Sequence, residues 1–189
     1  MKKIAIFASG TGSNAAKIID YFKNHKSISV SLIVSNKSDA GVLKIAEQYA
    51  IPTLVLEKEK FFRGNAFTDE LKEAGINFII LAGFLWKIPT ALIKAFPNSI
   101  INIHPALLPK YGGKGMYGQH VHQAVIDNKE TESGITIHFV DEHYDHGDII
   151  FQAKCSLQES DTAISVAAKV QQLEHEHYPK VIEQVVLQA

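Results

Sequence analysis

Asn102 and His104 stand two apart at the carboxyl end of an apolar run, with Pro105 directly behind them. On a β-strand that spacing puts both side chains on one face. An asparagine amide donates a hydrogen bond to a developing oxyanion, and an imidazole donates or shuttles a proton near neutral pH. Together they fit acyl-type transfer through a tetrahedral species. Downstream, Asp141-Glu142-His143-Tyr144-Asp145-His146-Gly147-Asp148 is crowded with charge. An acid from this loop, Asp145 for example, can orient His104 or a water. From spacing alone any of its four acids serves, and a solvated charged hairpin is the plainer reading.

A second candidate is Ser9-Gly10-Thr11-Gly12-Ser13-Asn14, a glycine-rich loop after a buried strand and before a helical pattern. Such a junction points backbone N–H groups and the positive helix end at an anion. The hydroxyls of Thr11 and Ser13 add donors, which suits a phosphate. The spacing is neither G-x-G-x-x-G nor a Walker loop, and a tight turn capped by Ser13 or Asn14 explains it equally simply.

Eight of the nine histidines follow residue 100, among them His120 and His122, His143 and His146, and His175 and His177. That crowding raises a metal site, but neither H-E-x-x-H nor C-x-x-C occurs. Two histidines two apart on a helix do not share a face, so the expectation is no catalytic metal and a surface position for at least one of His175 and His177. The single cysteine, Cys155, lies in an apolar stretch and reads as a small buried residue.

The elements that must hold these groups alternate. Strands are expected at 3–8, 28–35, 53–56, 77–82 and 99–104, with helices at 13–25, 39–49, 66–74 and from Pro89 to Ala95. The strand expected at 77–82 is continuously apolar from Phe78 to Ala82, as in a strand buried on both faces of a parallel sheet. This order predicts an open, mostly parallel, Rossmann-like α/β sheet with helices on both faces. After His104 the pattern changes to a long loop rich in proline and glycine, then a short helix at 119–127. Strands at 134–140 and 149–157 are expected to pair antiparallel at the sheet edge. A helix runs from Thr162 to the C-terminus, kinked or divided by Pro179.

At 189 residues, 46% of them apolar, the chain has material for one domain with a real core. Nineteen basic against twenty acidic residues leave a net charge of -1, so no basic field draws it to nucleic acid or anionic lipid. The apolar run at the N-terminus ends after five residues, at Ser9, too short for a signal core or a membrane span. A soluble cytoplasmic protein is expected.

Taken together the motifs resemble the phosphoribosylglycinamide formyltransferases, the folate-dependent enzymes of purine synthesis. The resemblance runs nearly end to end. It rests on the 9–14 loop, Ser35-Asn36-Lys37, Leu81-Ala82-Gly83-Phe84, Asn102-Ile103-His104-Pro105, Leu107-Leu108-Pro109-Lys110-Tyr111, Gly134 to Val140, the Asp145-x-Gly147 turn and Gln171 to Pro179. It implies that Thr11, Gly12, Ser13 and Asn14 hold the phosphate of glycinamide ribonucleotide, and that Gln171 and Glu174 contact its ribose and glycinamide part. Leu85, Trp86, Lys87 and Ile88 would line the folate pocket, largely through backbone, with Val140, Asp141 and Asp145 closing over the pterin. Asn102, His104 and Asp145 would be the catalytic set for direct transfer from 10-formyltetrahydrofolate, without metal, in a monomer or homodimer.

The phosphate-binding half would lie at about 1–100 and the folate-binding and catalytic half at about 81–189, in a single formyltransferase domain. Three positions depart from the family pattern. Gly112 to Gly118 is longer than the usual Pro-Gly turn, Trp86 stands where an arginine is common, and Arg63 lies about one position from an arginine expected near the folate tail. The rivals are a formyltetrahydrofolate hydrolase, expected to carry an added N-terminal domain, and a formyltransferase acting on another amine. A phosphoribosyl-binding module without catalysis is the third.

Overall fold

Ile4, Ala5, Ile6 and Phe7 are sealed from solvent in β1 (Lys2–Phe7), and a strand apolar on both faces must be covered on both. In the computed structural model, which describes residues 1–63 and 66–189, β1 pairs in parallel with β2 (Ile28–Ser35) and with β4 (Phe78–Leu81). The short β3 (Thr53–Val55) extends β2, also in parallel. With β5 (Ile100–His104), β6 (Glu132–Phe139) and β7 (Ile149–Ser156) these form a seven-stranded sheet in the order β3-β2-β1-β4-β5-β6-β7. β6 and β7 pair antiparallel, with a register shift between Ile137 and His138. The expected open α/β sheet, mostly parallel with an antiparallel C-terminal edge, is what forms.

The helices are α1 (Ser13–Phe22), α2 (Gly41–Gln48), α3 (Lys58–Phe62), α4 (Ala66–Glu73), α5 (Thr90–Ala95), α6 (Gln119–Asp127) and α7 (Ala163–Gln188). α1 buries Ala15, Ile18, Ile19 and Phe22, the i, i+3, i+4, i+7 stripe of a helix lying against a core. Several expectations need correction. α1 ends at Phe22, short of His25, and α3 was not anticipated from the pattern. Pro179 does not divide α7. Proline removes one helical hydrogen bond, but Tyr178, Val181, Ile182 and Val186 are buried on either side of it and hold the turns in place. Cys155 is half-buried rather than buried, and burial pushes its thiol up, away from nucleophilic use.

Two compact units are distinguished, Met1–Ile101 with Ile182–Ala189, and Asn102–Val181. The first is filled by Ile6, Phe7, Ile18, Ile33, Leu71 and Ile80 among others. Aromatic rings add to it, with Phe7 and Phe84 5.3 Å apart and Phe61 and Trp86 5.6 Å apart between centroids. The second is built on Val121, Val125, Ile135, Ile137, Val166 and Val170. Among the described residues no helix is long and apolar enough to cross a membrane.

Candidate active site

β5 carries Asn102 half-buried and His104 only 4% exposed, on one face of the strand. β6 brings up a partner that sequence reasoning did not single out. His138, 2% exposed, has its Nδ1 2.8 Å from the Phe139 carbonyl, so Nδ1 carries the proton and Nε2 accepts. The acceptor faces the Asn102 amide at 3.1 Å. One N–H of Asn102 is thereby committed and its orientation fixed, leaving the second N–H of the amide for a ligand oxygen.

His104 is fixed by the same logic. Its Nε2–H donates to the Tyr111 carbonyl at 2.7 Å, which leaves Nδ1 as the atom that gains or gives up a proton. Nδ1 lies 3.7 Å from Asp145 Oδ2, and His138 Nε2 lies 3.7 Å from Asp145 Oδ1. Both separations are longer than a hydrogen bond. Asp145 comes from the β6–β7 connection, 13% exposed at the side chain, and accepts a hydrogen bond from the Gly113 N–H at 2.8 Å. Asn102, His104, His138 and Asp145 thus form one polar group within the second unit. A cleft of about 200 Å³ beside Asp145 is lined by Leu108, Pro109, Gly112, Gly113 and Tyr144.

Charge and burial oppose each other here. Burial pushes His104 below the ordinary histidine range, while the Asp145 carboxylate and the Tyr111 carbonyl pull the other way. For Asp145 burial raises the carboxyl, but the His104 charge and the Gly113 N–H pull against it, and the net direction is down. Asp145 is therefore ionised wherever the protein is folded near neutrality. Its charge favours protonation of His104 Nδ1. His122 on α6 is also buried and pushed down by burial and by His104, and its Nδ1 has no partner among the described residues.

The chain beyond His104 is held from β6. Thr136, fully buried, donates to the Ala106 carbonyl at 2.7 Å and accepts from the Leu108 N–H at 2.9 Å. Gln152 on β7 reaches the Leu108 carbonyl and Thr136 Oγ1.

In the first unit the 9–14 loop ends at α1 with Gly12 as its N-cap, at φ 84° and without a side-chain cap. A Cβ on Gly12 would meet Val42 and the Ile45 side chain at 2.9 Å, and the left-handed φ penalises one independently. The α1 hydrogen-bond ladder begins with Ala16 N–H on the Gly12 carbonyl, so the amides of Ser13 to Ala15 lie in the N-terminal turn. Ser9 ties this loop to the one after β4. Its N–H donates to Gly83, its hydroxyl donates to Asn36 Oδ1 at 2.6 Å, and the same hydroxyl accepts from Leu85 N–H at 2.9 Å. Leu85 and Lys87 are exposed and Ile88 is buried, while Trp86 packs its ring on Phe61 and Phe62.

Val140 and Asp141 lie in the connection that carries Asp145, and Gln171 and Glu174 are three apart on α7, on one helix face. His120 is exposed while His122 is buried, as their two-residue spacing on α6 requires. His175 and His177 are both half-buried, and His177 packs on Phe151 at 4.9 Å. Among the described residues no three His, Cys, Asp or Glu side chains are grouped to hold a metal ion.

The formyl transferase family model matches residues 2–182. A chloroplastic phosphoribosylglycinamide formyltransferase from Arabidopsis thaliana is 42% identical over 96% of this chain and 64% of its own length. This chain thus spans less than two thirds of that relative. The phosphoribosylglycinamide formyltransferase of Bacillus subtilis (strain 168) is 37% identical, with 98% of this chain and 95% of that protein covered. A crystal structure of phosphoribosylglycinamide formyltransferase from Bacillus halodurans superposes with a TM-score of 0.88 at 34% identity, covering 98% of this chain and 95% of that one.

Proposed function

This chain belongs to the formyl transferase family, and from that premise we propose that it moves the formyl group of 10-formyltetrahydrofolate to the amine of glycinamide ribonucleotide in purine synthesis. The observation that carries the reading is the commitment of His104 Nε2–H to Tyr111, which leaves Nδ1 and the second Asn102 N–H as the donors for a developing oxyanion. The folate donor brings the formyl carbonyl that the amine attacks. Asn102 donates a neutral hydrogen bond to its oxygen, and protonated His104 donates a charged one from Nδ1. Preorganised donors of this kind are each worth about 3 kcal/mol of barrier. Asp145 stabilises the imidazolium and relays, through a water, the proton that the amine loses to N10 of the folate, so that the formyl C–N10 bond breaks and tetrahydrofolate leaves.

The phosphate of the ribonucleotide is assigned to Thr11, Gly12, Ser13 and Asn14, where backbone amides at the start of α1 meet hydroxyl donors. Gln171 and Glu174 are assigned to its ribose and glycinamide part. The reduced folate is assigned to the backbone of Leu85, Trp86, Lys87 and Ile88 and to Val140, Asp141 and Asp145. The net charge of -1 fits small-molecule substrates better than nucleic acid or a membrane. A cytoplasmic location, as monomer or homodimer, completes the reading.

His104→Ala separates an enzyme from a binding module. Calorimetry is expected to show ribonucleotide binding intact, while formyl transfer falls by about 10²–10⁴-fold. Turnover close to wild type would remove His104 from the chemistry.

A further inference from the structure

Two of the groups that hold His104 and Asp145 are backbone atoms of one short segment. The Tyr111 carbonyl accepts from His104, and the Gly113 N–H donates to Asp145. Between them Gly112 leaves no room for a side chain, since a Cβ there would meet Leu108 Cδ2 at 2.5 Å and Asp145 Cβ at 3.3 Å. Tyr111 itself has φ 58°, a left-handed conformation unfavourable for a residue with a bulky side chain. Something must hold it there. The phenol hydroxyl donates to Glu130 Oε1 at 2.8 Å, and Glu130 is 22% exposed at the side chain. Glu130 is in turn fixed just beyond α6, where its N–H closes on the Val125 carbonyl at 3.2 Å. Lys110 reaches the same carboxylate oxygen at 2.9 Å from a side chain that is 67% exposed.

We infer that Tyr111 and Glu130 are positioning residues, a side-chain anchor outside the reacting group that holds the 111–113 backbone so that His104 keeps its proton on Nε2 and Asp145 faces Nδ1. The inference rests on the reading of His104 and Asp145 as the catalytic pair. Neither anchor residue lines the cleft beside Asp145. Loss of the anchor frees the segment to leave its left-handed turn, the Tyr111 carbonyl moves off Nε2, and the imidazole loses its fixed tautomer. Rate suffers because the donor aimed at the oxyanion is misplaced, whereas ground-state binding of either substrate is untouched.

The test uses the full chain with Tyr111→Phe, Glu130→Ala, Glu130→Gln and Lys110→Met, beside His104→Ala. Kinetics with the formyl donor and the ribonucleotide are combined with NMR of isotope-labelled histidine. Tyr111→Phe and Glu130→Ala are expected to lower kcat by about ten- to a hundredfold with both KM values unchanged, and to shift the His104 Nε2 resonance. Glu130→Gln keeps an acceptor for the phenol and is expected to restore most of kcat, and Lys110→Met to behave as wild type. Wild-type kcat and an unmoved His104 resonance in Tyr111→Phe overturn the anchor. If that variant does not fold, the same result in Glu130→Ala does so. If His104→Ala itself retains full turnover, the catalytic reading has failed. The anchor is then decided by the resonance alone, a shift supporting it and no shift overturning it.

Discussion

Asp145 holds φ 56°, a left-handed conformation that costs a non-glycine residue about 1–3 kcal/mol and that collects at functional sites. Its carboxylate is the main charge favouring the imidazolium of His104 against burial. The sign of the pH effect follows. If protonated His104 is the active form, kcat is flat below the His104 pKa and falls about tenfold per pH unit above it. Asp145→Asn removes the group that raises that pKa, so the decline begins at lower pH and the deficit widens toward alkaline pH. A kcat profile between about pH 5 and 9 checks this, and a parallel profile would refute it. Asn102 and His104 were legible as a pair from their spacing, whereas Asp145 was one acid among four. His138 was missed, although Thr136 and His138 are two polar residues on one face of an apolar strand, a signal that marks both. Tyr111 and Glu130 left no such trace, because their meeting depends on a turn conformation that periodicity does not encode.

At the scale of elements, β6 is the strand that organises the second unit. Its Thr136 satisfies the Leu108 N–H and the Ala106 carbonyl inside the protein. Thr136→Val preserves shape but leaves both groups unpaired, at a cost of about 1–3 kcal/mol. Urea unfolding is expected to show that loss with an unchanged m value, and an unaltered midpoint would contradict the assignment. The elements themselves were read well where periodicity was strong. The residues expected to be helical at 119–127 are those of α6, and the strand expected at 77–82 contains β4. α3 escaped because five residues, Lys-Glu-Lys-Phe-Phe, are too few to display a helical period. Pro179 does not divide α7, because local helix cost is outweighed by the burial of the turns around it.

For the whole molecule, the alternation of strand and helix was enough to give the sheet class, and the near-zero net charge directed attention to local sites instead of a general field. What no pattern supplied was the pairing of residues far apart in the chain, such as Asn102 with His138, since tertiary contacts decide it. The central claim is transfer to an amine acceptor, and the acceptor is the variable to control. Absorbance of a 10-formyl folate donor is followed with the protein, once with glycinamide ribonucleotide and once with water as the sole acceptor. The donor is predicted to lose its formyl group only when the ribonucleotide is present. Equal loss in both runs, or none in either, would contradict the account.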